Sequence, residues 1–479
     1  MKESGESKMP TKSEEQQGER IGRFRRKAIK VTVAQSAILE TARSYQAEMP
    51  VQVIPLYRCG GRYAAERLAA TSDWPPFARS GVDGFAVRSA DVELATAEKP
   101  VSLRLIDSVA AGDRAVKAVL PGTAIRIMTG AMVPPEADAV VMLEQTEDAE
   151  AGASRGLWKG NKASNGGGAR ETVISVQVKH AIQQGQNIAQ PGEELQTGAA
   201  LTEPGMLLRP GHIALLGTFG YSSVPVFARP RVGIFATGSE LLAVDERLEP
   251  GRIRDSNSAM LAAMVEQSGG EAVLMGRLPD ELGAVRSALA EAADKVDMIV
   301  TTGGVSVGDY DVMAMLLRGL SRRSFETGGK RESSLDCIAA LGQDQLLFDR
   351  VAMRPGSPTS AARFGGKLLF ALSGNPGACF VGFELFVRPA MLALQGASHA
   401  LPTVVQAELV AGFEKGSPHD RYVRARLLER EGRRFAEPLG FVKSSMMASI
   451  PAAEGLVLIP SGSKGAPAGQ LVDVLLLPS

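Results

Sequence analysis

The spacing of apolar residues changes several times along this chain, and each change marks a different kind of structure. The run VTVAQSAILETARSY repeats apolar side chains at helical intervals, which predicts one amphipathic helix. A short extended run, VQVIPLY, follows, and RYAAERLAAT then predicts a second short helix. From 74 to 148, short apolar runs such as VSLRLIDSV, TAIRIMTG and ADAVVMLEQ alternate with Gly and Pro, the texture of a small all-β module. Residues 149–172 are rich in Gly, Ser, Asn and Ala with no period and predict a flexible insertion. Strand-like VISVQVK closes the module. Residues 230–392 alternate buried strands (RVGIFAT, EAVLMGRL, VDMIVTTGG, KLLFALSG) with helices, one of them capped by Asp280. Elements of that order build a doubly wound, mostly parallel α/β sheet. An irregular excursion interrupts it over 321–345. Beyond about 400, VVQAELVAGF, YVRARLLER, GLVLIPSG and LVDVLLL predict a C-terminal β domain.

The expected fold class is therefore multidomain α/β plus β. Its expected divisions are a disordered tail over 1–30, a discontinuous helical and extended domain over 31–72 and 186–226, and a β module over 73–185. The α/β domain spans 227–396 and the C-terminal β domain 397–479.

Composition narrows the function more than the fold. Of 479 residues, 53 are Lys or Arg and 53 are Asp or Glu, so no global field holds nucleic acid or an anionic membrane. No apolar run approaches the roughly 18 residues of a membrane span, and the polar tail lacks a signal core. Cys59, Cys337 and Cys379 are too scattered for a disulfide framework, which points to a reducing, cytoplasmic setting. Cys379 opens a helix, a place that lowers a thiol pKa, but burial as a small core residue competes. The four histidines have no metal-ligand spacing, Ser239 and Ser373 lack a G-x-S-x-G elbow, and no P-loop is present.

In an open parallel sheet, ligands bind beyond the carboxyl ends of the strands. Three strands here end in small-residue loops. The first is Thr237-Gly238-Ser239-Glu240. The second runs from Thr302-Gly303-Gly304 through Ser306, Gly308 and Asp309 to Asp311. The third is Ser373-Gly374-Asn375-Pro376. Such loops let backbone N–H groups approach an anion. Glu240, Asp280, Asp309 and Asp311 fall at or after strand ends, where carboxylates beside phosphates hold Mg²⁺. Asp280 divides evenly between that role and the helix cap. The stiff loop Arg354-Pro355-Gly356-Ser357-Pro358 offers a guanidinium to an oxyanion. In the β module, Asp83 fits a local Asx turn and Thr129 an ordinary turn.

These segments, in this order, resemble the molybdopterin molybdenumtransferase family of the MoeA and gephyrin E-domain type. The resemblance rests on GGVSVGDYD at 303–311, PPFARSGVDGFAVR at 75–88, IRIMTGAMVPPEADAVVMLEQ at 125–145, ATGSEL at 236–241 and SGNPGA at 373–378. It implies a molybdopterin-binding α/β domain in a homodimer whose cleft uses both subunits. It implies adenylylated molybdopterin and molybdate as substrates, Mg²⁺ as metal, and release of AMP and molybdenum cofactor. The 302–308 loop would take the pterin phosphate. Glu240, Asp280 and Asp311 match family acids that would hold metal, and Asp83 and Thr129 match positions facing the partner's cleft. Candidate protein partners are a molybdopterin adenylyltransferase and molybdoenzymes.

The chain departs from the family pattern at three places. A usual Lys-Pro-Gly-Lys-Pro has Arg354 and Ser357, so one cation is lost. A usual Pro-Gly-Asn-Pro-Val-Ser has Ser373 at its start and Ala378 at its end, and two arginines are replaced by Ala189 and Gln190. Another arginine converging on the same pocket, such as Arg350, would restore the charge. The alternatives are a divergent relative that binds pterin or a protein partner as a scaffold, and an enzyme for another oxyanion such as tungstate.

Overall fold

The computed structural model describes residues 28–148, 174–305, 311–326, 344–413, 416–439 and 446–478, of which 321–326 are described as backbone only. The predicted tail lies almost wholly outside these residues, as do the 149–172 insertion and most of the 321–345 excursion. The chain forms two compact units. One comprises Arg67–Thr202 with Ala214–Ser222, and the other the remainder.

In the first unit, the alternating runs of the β module form a six-stranded sheet in the order Ala139–Met142, Gly84–Val87, Thr123–Ile127, Val101–Val109, Ser175–Val178, Thr146–Asp148. One face is packed by Phe85, Val87, Leu103, Val141 and Val176. The other carries Ala86, Ile125, Ile127 and Val140, which explains why these strands read as continuous apolar runs.

The second unit contains the α/β sheet: β1 (Arg231–Ala236), β2 (Glu271–Arg277), β3 (Met298–Thr302), β4 (Gln345–Phe348), β5 (Ser360–Phe364) and β6 (Lys367–Leu372). Their order is β2-β1-β3-β6-β5-β4. The first four in that order run parallel, and β5 and β4 add antiparallel at one edge. Around them lie α1 (Val31–Gln46), α2 (Asn257–Gln267), α3 (Leu282–Ala293), α4 (Val312–Glu326) and α5 (Pro376–Leu394). The sheet separates two cores. On one side Ile38 and Ala42 of α1 meet Phe383 and Phe386 of α5; on the other Val285 and Leu289 of α3 meet Met313 and Leu317 of α4.

The C-terminal strands Asp420–Arg430, Arg433–Pro438, Val404–Leu409, Leu471–Leu476 and Gly455–Ile459 close on themselves, because the first also pairs with the last. The short strand Met353–Arg354 adds to this sheet beside Asp420 and Arg421.

Three local expectations are corrected. RYAAERLAAT is not a helix. Tyr63 and Ala64 bridge to Leu207 and Val226, and Leu68–Ala69 pairs with Ala200–Thr202, so backbone partners distant in sequence replace local helical bonds. Arg62 and Ala64 are buried while Tyr63 and Ala65 are half-buried, a strand-like alternation. Asp280 does not cap α3. Glu281 is the cap, its carboxylate accepting from Gly283 N and Ala284 N at 3.0 and 3.1 Å. Finally, one helix, α5, does have the length and apolarity of a membrane span, but its apolar stretch is 94% buried within the protein, as for a core helix.

Helix α5 also shows how the core tolerates a defect. Pro389 has no N–H and cannot donate to Leu385 O four residues back. A π turn occupies Phe383–Val387, and Gln35 Nε2 from α1 donates to Leu385 O at 3.0 Å. Beside it, Arg388 and Glu384 form a buried two-pronged pair at 2.7 and 2.8 Å. Gln35→Leu removes the donor and keeps the volume. We expect it to destabilise this unit by about 1–3 kcal/mol, the cost of an unsatisfied buried carbonyl. An unchanged urea midpoint would contradict this role.

Candidate functional site

The site follows from strand adjacency. β1, β3 and β6 are neighbours and parallel, so Ala236, Thr302 and Leu372 end side by side at one edge of the sheet. The loops that leave them are tied at once. Thr237 N donates to Thr302 O at 2.9 Å, and Gly303 N donates to Leu372 O at 3.0 Å. Glycine is required where they touch. Gly303 has φ +93, and a Cβ there would stand 2.5 Å from Thr237 O.

One side chain locks the arrangement. Asn257, at the start of α2, is only 7% exposed. Its Nδ2 donates to Thr302 Oγ1 at 2.8 Å and to Gly374 O at 2.9 Å. The Gly374 carbonyl can only accept, which fixes the amide orientation. Thr302 Oγ1 then donates to Ser373 O at 3.3 Å. The second and third loops are thus stapled through α2.

Between these loops opens a cleft of about 910 Å³. It gathers most of the predicted positions: Thr237, Gly238 and Glu240 from the first loop, Thr302, Gly303, Gly304 and Asp311 from the second, Gly374, Asn375 and Pro376 from the third, with Asp280 and Pro358. Ser306, Gly308 and Asp309 lie outside the described residues. Arg354, Pro355 and Gly356 are not in the cleft wall; they belong to the strap that delivers Pro358. Asn375 is already engaged as the cap of α5, its Oδ1 accepting from Gly377 N and Ala378 N at 3.1 and 3.3 Å. Pro376, the first helical residue, has no N–H.

Asp83 and Thr129 belong to the other compact unit and pair with each other. Asp83 Oδ1 accepts from Thr129 N at 2.7 Å and from Thr129 Oγ1 at 2.8 Å. This joins two loops 46 residues apart, in place of the local Asx turn that the sequence favours. The Thr129 amide, then its hydroxyl, hold the Asp83 carboxyl below its usual range.

Among the described residues, no three His, Cys, Asp or Glu side chains converge as a preformed metal cage. Glu240, Asp280 and Asp311 instead line the same cleft. Their oxygen donors suit a hard cation of the Mg²⁺ type, which takes one or two carboxylates and completes its shell with water and substrate phosphates.

Three participants were missed by sequence reasoning. Arg254 belongs to a short strand, Ile253–Arg254, that no apolar run announces, and Asn257 follows three residues later. Arg424 carries a signal that could have been read, since strand alternation puts it on the same face as Tyr422, a cation at a core position. It is 6% exposed. It donates to Ser449 Oγ at 3.0 Å, Met446 O at 3.0 Å and Gly377 O at 3.4 Å, and pairs with no carboxylate among the described residues. Burial pulls its pKa down.

Comparison with known proteins agrees with this architecture throughout. Residues 29–220 match the MoeA N-terminal region (domain I and II), 233–393 a probable molybdopterin binding domain, and 406–477 the MoeA C-terminal region (domain IV). The chain is 41% identical to a molybdopterin molybdenumtransferase of Bacillus subtilis over 87% of each chain. It is 37% identical to one of Staphylococcus aureus over 91% of this chain and 93% of that one. A molybdopterin biosynthesis MoeA protein of Pyrococcus horikoshii superimposes with TM-score 0.72 at 28% identity, covering 94% of this chain and 100% of the other. The chain belongs to the molybdopterin molybdenumtransferase family, enzymes of molybdenum cofactor biosynthesis.

Two expectations follow from the local chemistry. Burial pushes the Cys379 thiol up to about 12, overriding its place near a helix start. Native protein at pH 8 should therefore leave Cys379 unalkylated by iodoacetamide while denatured protein reacts; native alkylation would contradict the burial argument. For Asp83, a depressed pKa means that the bond to Thr129 is complete above the usual carboxyl value of about 3.9. It persists below that value and is lost only as pH falls through the lower folded value. The Thr129 amide resonance should titrate with a midpoint below about 3.9, and a midpoint above it would refute the pairing.

Proposed function

We propose that this enzyme inserts molybdate into adenylylated molybdopterin and releases AMP in a Mg²⁺-dependent reaction, working in the cytoplasm as a homodimer. The observation that carries the reading is the meeting of three small-residue loops and three carboxylates in one cleft, in a chain 41% identical to a relative named for this transfer.

Thr237, Gly238, Thr302, Gly303 and Gly304, with Ser306, Gly308 and Asp309 further along the loop, receive the pterin and its phosphate. Backbone there can approach an anion because no Cβ intervenes. Gly374, Asn375 and Pro376 line the same cleft beside them. Glu240, Asp280 and Asp311 would hold the cation, which when bound neutralises phosphate charge and polarises the phosphoryl oxygens. Arg354, Pro355, Gly356 and Pro358 form a stiff strap for the oxyanion. Arg424 adds a buried positive charge behind Gly377, where low dielectric strengthens its pull on an anion. Asp83 and Thr129 act as a pre-set pair presented to the partner subunit's cleft.

The test is reconstitution with adenylylated molybdopterin, Mg²⁺ and molybdate, reading AMP release and cofactor activity. We expect molybdate-dependent release that Asp311→Asn and Glu240→Gln each lower by about 10²-fold or more, the scale of losing one preorganised charge contact. Tight pterin binding without release at any molybdate concentration would contradict this reading and identify a pterin-binding scaffold. Release with tungstate alone would redirect the oxyanion.

A further inference from the structure

Four acidic residues line the cleft, Glu240, Asp255, Asp280 and Asp311, and among the described residues one basic residue joins them, Arg254. Asp255 is engaged locally, its oxygens accepting from Ser258 N at 3.1 Å and Ser258 Oγ at 2.5 Å. Arg254 is exposed, and although acids share its cleft it forms no ion pair among the described residues. Its side chain makes one hydrogen bond there, from Nε to Glu246 O at 3.0 Å. Both terminal nitrogens stay available, and that planar fork matches a pair of phosphate oxygens.

The backbone brings this residue back to Glu240. The chain leaves the first loop through Leu241–Leu242 and returns through Ile253–Arg254, and the two segments pair in register. Ile253 N donates to Glu240 O at 3.0 Å, and Asp255 N donates to Leu242 O at 2.9 Å. Between them, Ala243 N donates to Glu246 Oε2 at 2.6 Å, so the residue that holds the guanidinium is itself fixed. Position along the first loop then separates two anion sites. Gly303 abuts Thr237 at the strand end, whereas Arg254 is paired further along, past Glu240. A phosphate at the glycines and a second phosphate at Arg254 would flank the carboxylate assigned to the cation.

We propose that Arg254 receives the adenylate phosphate of the substrate and so makes the cleft selective for adenylylated over free molybdopterin. The ligand class is a diphosphate joined to organic groups at both ends, with an ionised oxygen on each phosphorus. An acid-lined cleft repels such a group unless positive charge faces both phosphates. The divalent cation supplies part of that charge, and the fork of Arg254 supplies the part that free molybdopterin, with its lone phosphate, has no use for. This assignment rests on the proposed transferase reading and names a specificity-determining residue within it.

The experiment uses the full chain with Mg²⁺. Adenylylated molybdopterin and molybdopterin are each titrated by pterin fluorescence, AMP is titrated as a competitor, and amide exchange is followed at Ile253. We expect Arg254→Gln to weaken adenylylated molybdopterin about tenfold or more and molybdopterin less than about twofold, because one charge-assisted fork is lost. AMP should compete more weakly in the same variant, and Arg254→Lys should fall between. Exchange at Ile253 should stay slow, since its bond to Glu240 O does not involve the guanidinium. Wild-type affinity for adenylylated molybdopterin in Arg254→Gln would overturn the assignment. So would an equal loss for both pterins: with slow exchange it would place Arg254 on the pterin phosphate, and with fast exchange at Ile253 it would make Arg254 a brace for the 241–254 segment. Arg254-dependent selectivity without AMP release at any molybdate concentration would sink the transferase reading and leave the phosphate contact standing.

Discussion

The cleft depends on one carboxamide. Asn257 spans from α2 to the ends of two adjacent strands, and its Nδ2 holds Thr302 and Gly374 at hydrogen-bond distance. Without that span, two glycine-containing loops would be joined, among the described residues, only by Gly303 N on Leu372 O and Thr302 Oγ1 on Ser373 O, and glycine carries the largest backbone entropy of any residue. With it, the loops are fixed before a ligand arrives. Preorganisation matters most for an anionic substrate, because donors that must first be ordered lose part of their binding energy to entropy. The bond is buried, so it does not compete with water, and losing it would leave polar groups unpaired in the interior.

The rest of the site is arranged around this fixed edge by charge. The chain as a whole is neutral, so its charge acts locally. Carboxylates line the strand-end loops, where a cation and phosphates would share them. Arg254 lines the same cleft as the acids, and further guanidinium groups lie on the 350–358 strap and at Arg424, on the closed C-terminal sheet. This placement spreads positive charge beyond the acids. It also explains why the C-terminal strands matter to a cleft in the α/β domain: Asp420–Arg430 both pins the strap and carries Arg424.

Much of this was legible in the sequence, and the exceptions have a common cause. Strands β1, β3 and β6 are buried on both faces, so they read as short continuous apolar runs, and the glycines after them mark the carboxyl edge. Local periodicity was sufficient there. It failed where partners are distant. RYAAERLAAT has helical spacing, but its backbone is claimed by residues 200–207 and 226. Asp83 suits a local turn, yet its acceptor is taken by Thr129. Asp280 and Glu281 are adjacent acids, and only backbone geometry decides which one caps α3 and which one faces the cleft. Asn257 looks like an ordinary polar residue at a helix start; its importance comes from two loops that the sequence separates by 45 and 117 residues.

The most direct test of this account is amide hydrogen exchange at Thr237 and Gly303 in the wild type and in Asn257→Ala. Both amides are bonded across the strand ends, to Thr302 O and Leu372 O. If Asn257 holds the loops together, the substitution should accelerate exchange at these two amides by about tenfold or more and weaken adenylylated molybdopterin binding in step, while mid-strand amides such as Ile234 and Ile299 stay protected. Unchanged exchange at Thr237 and Gly303 with pterin binding intact would show that the cleft is built without this bond, and would contradict the account at its centre.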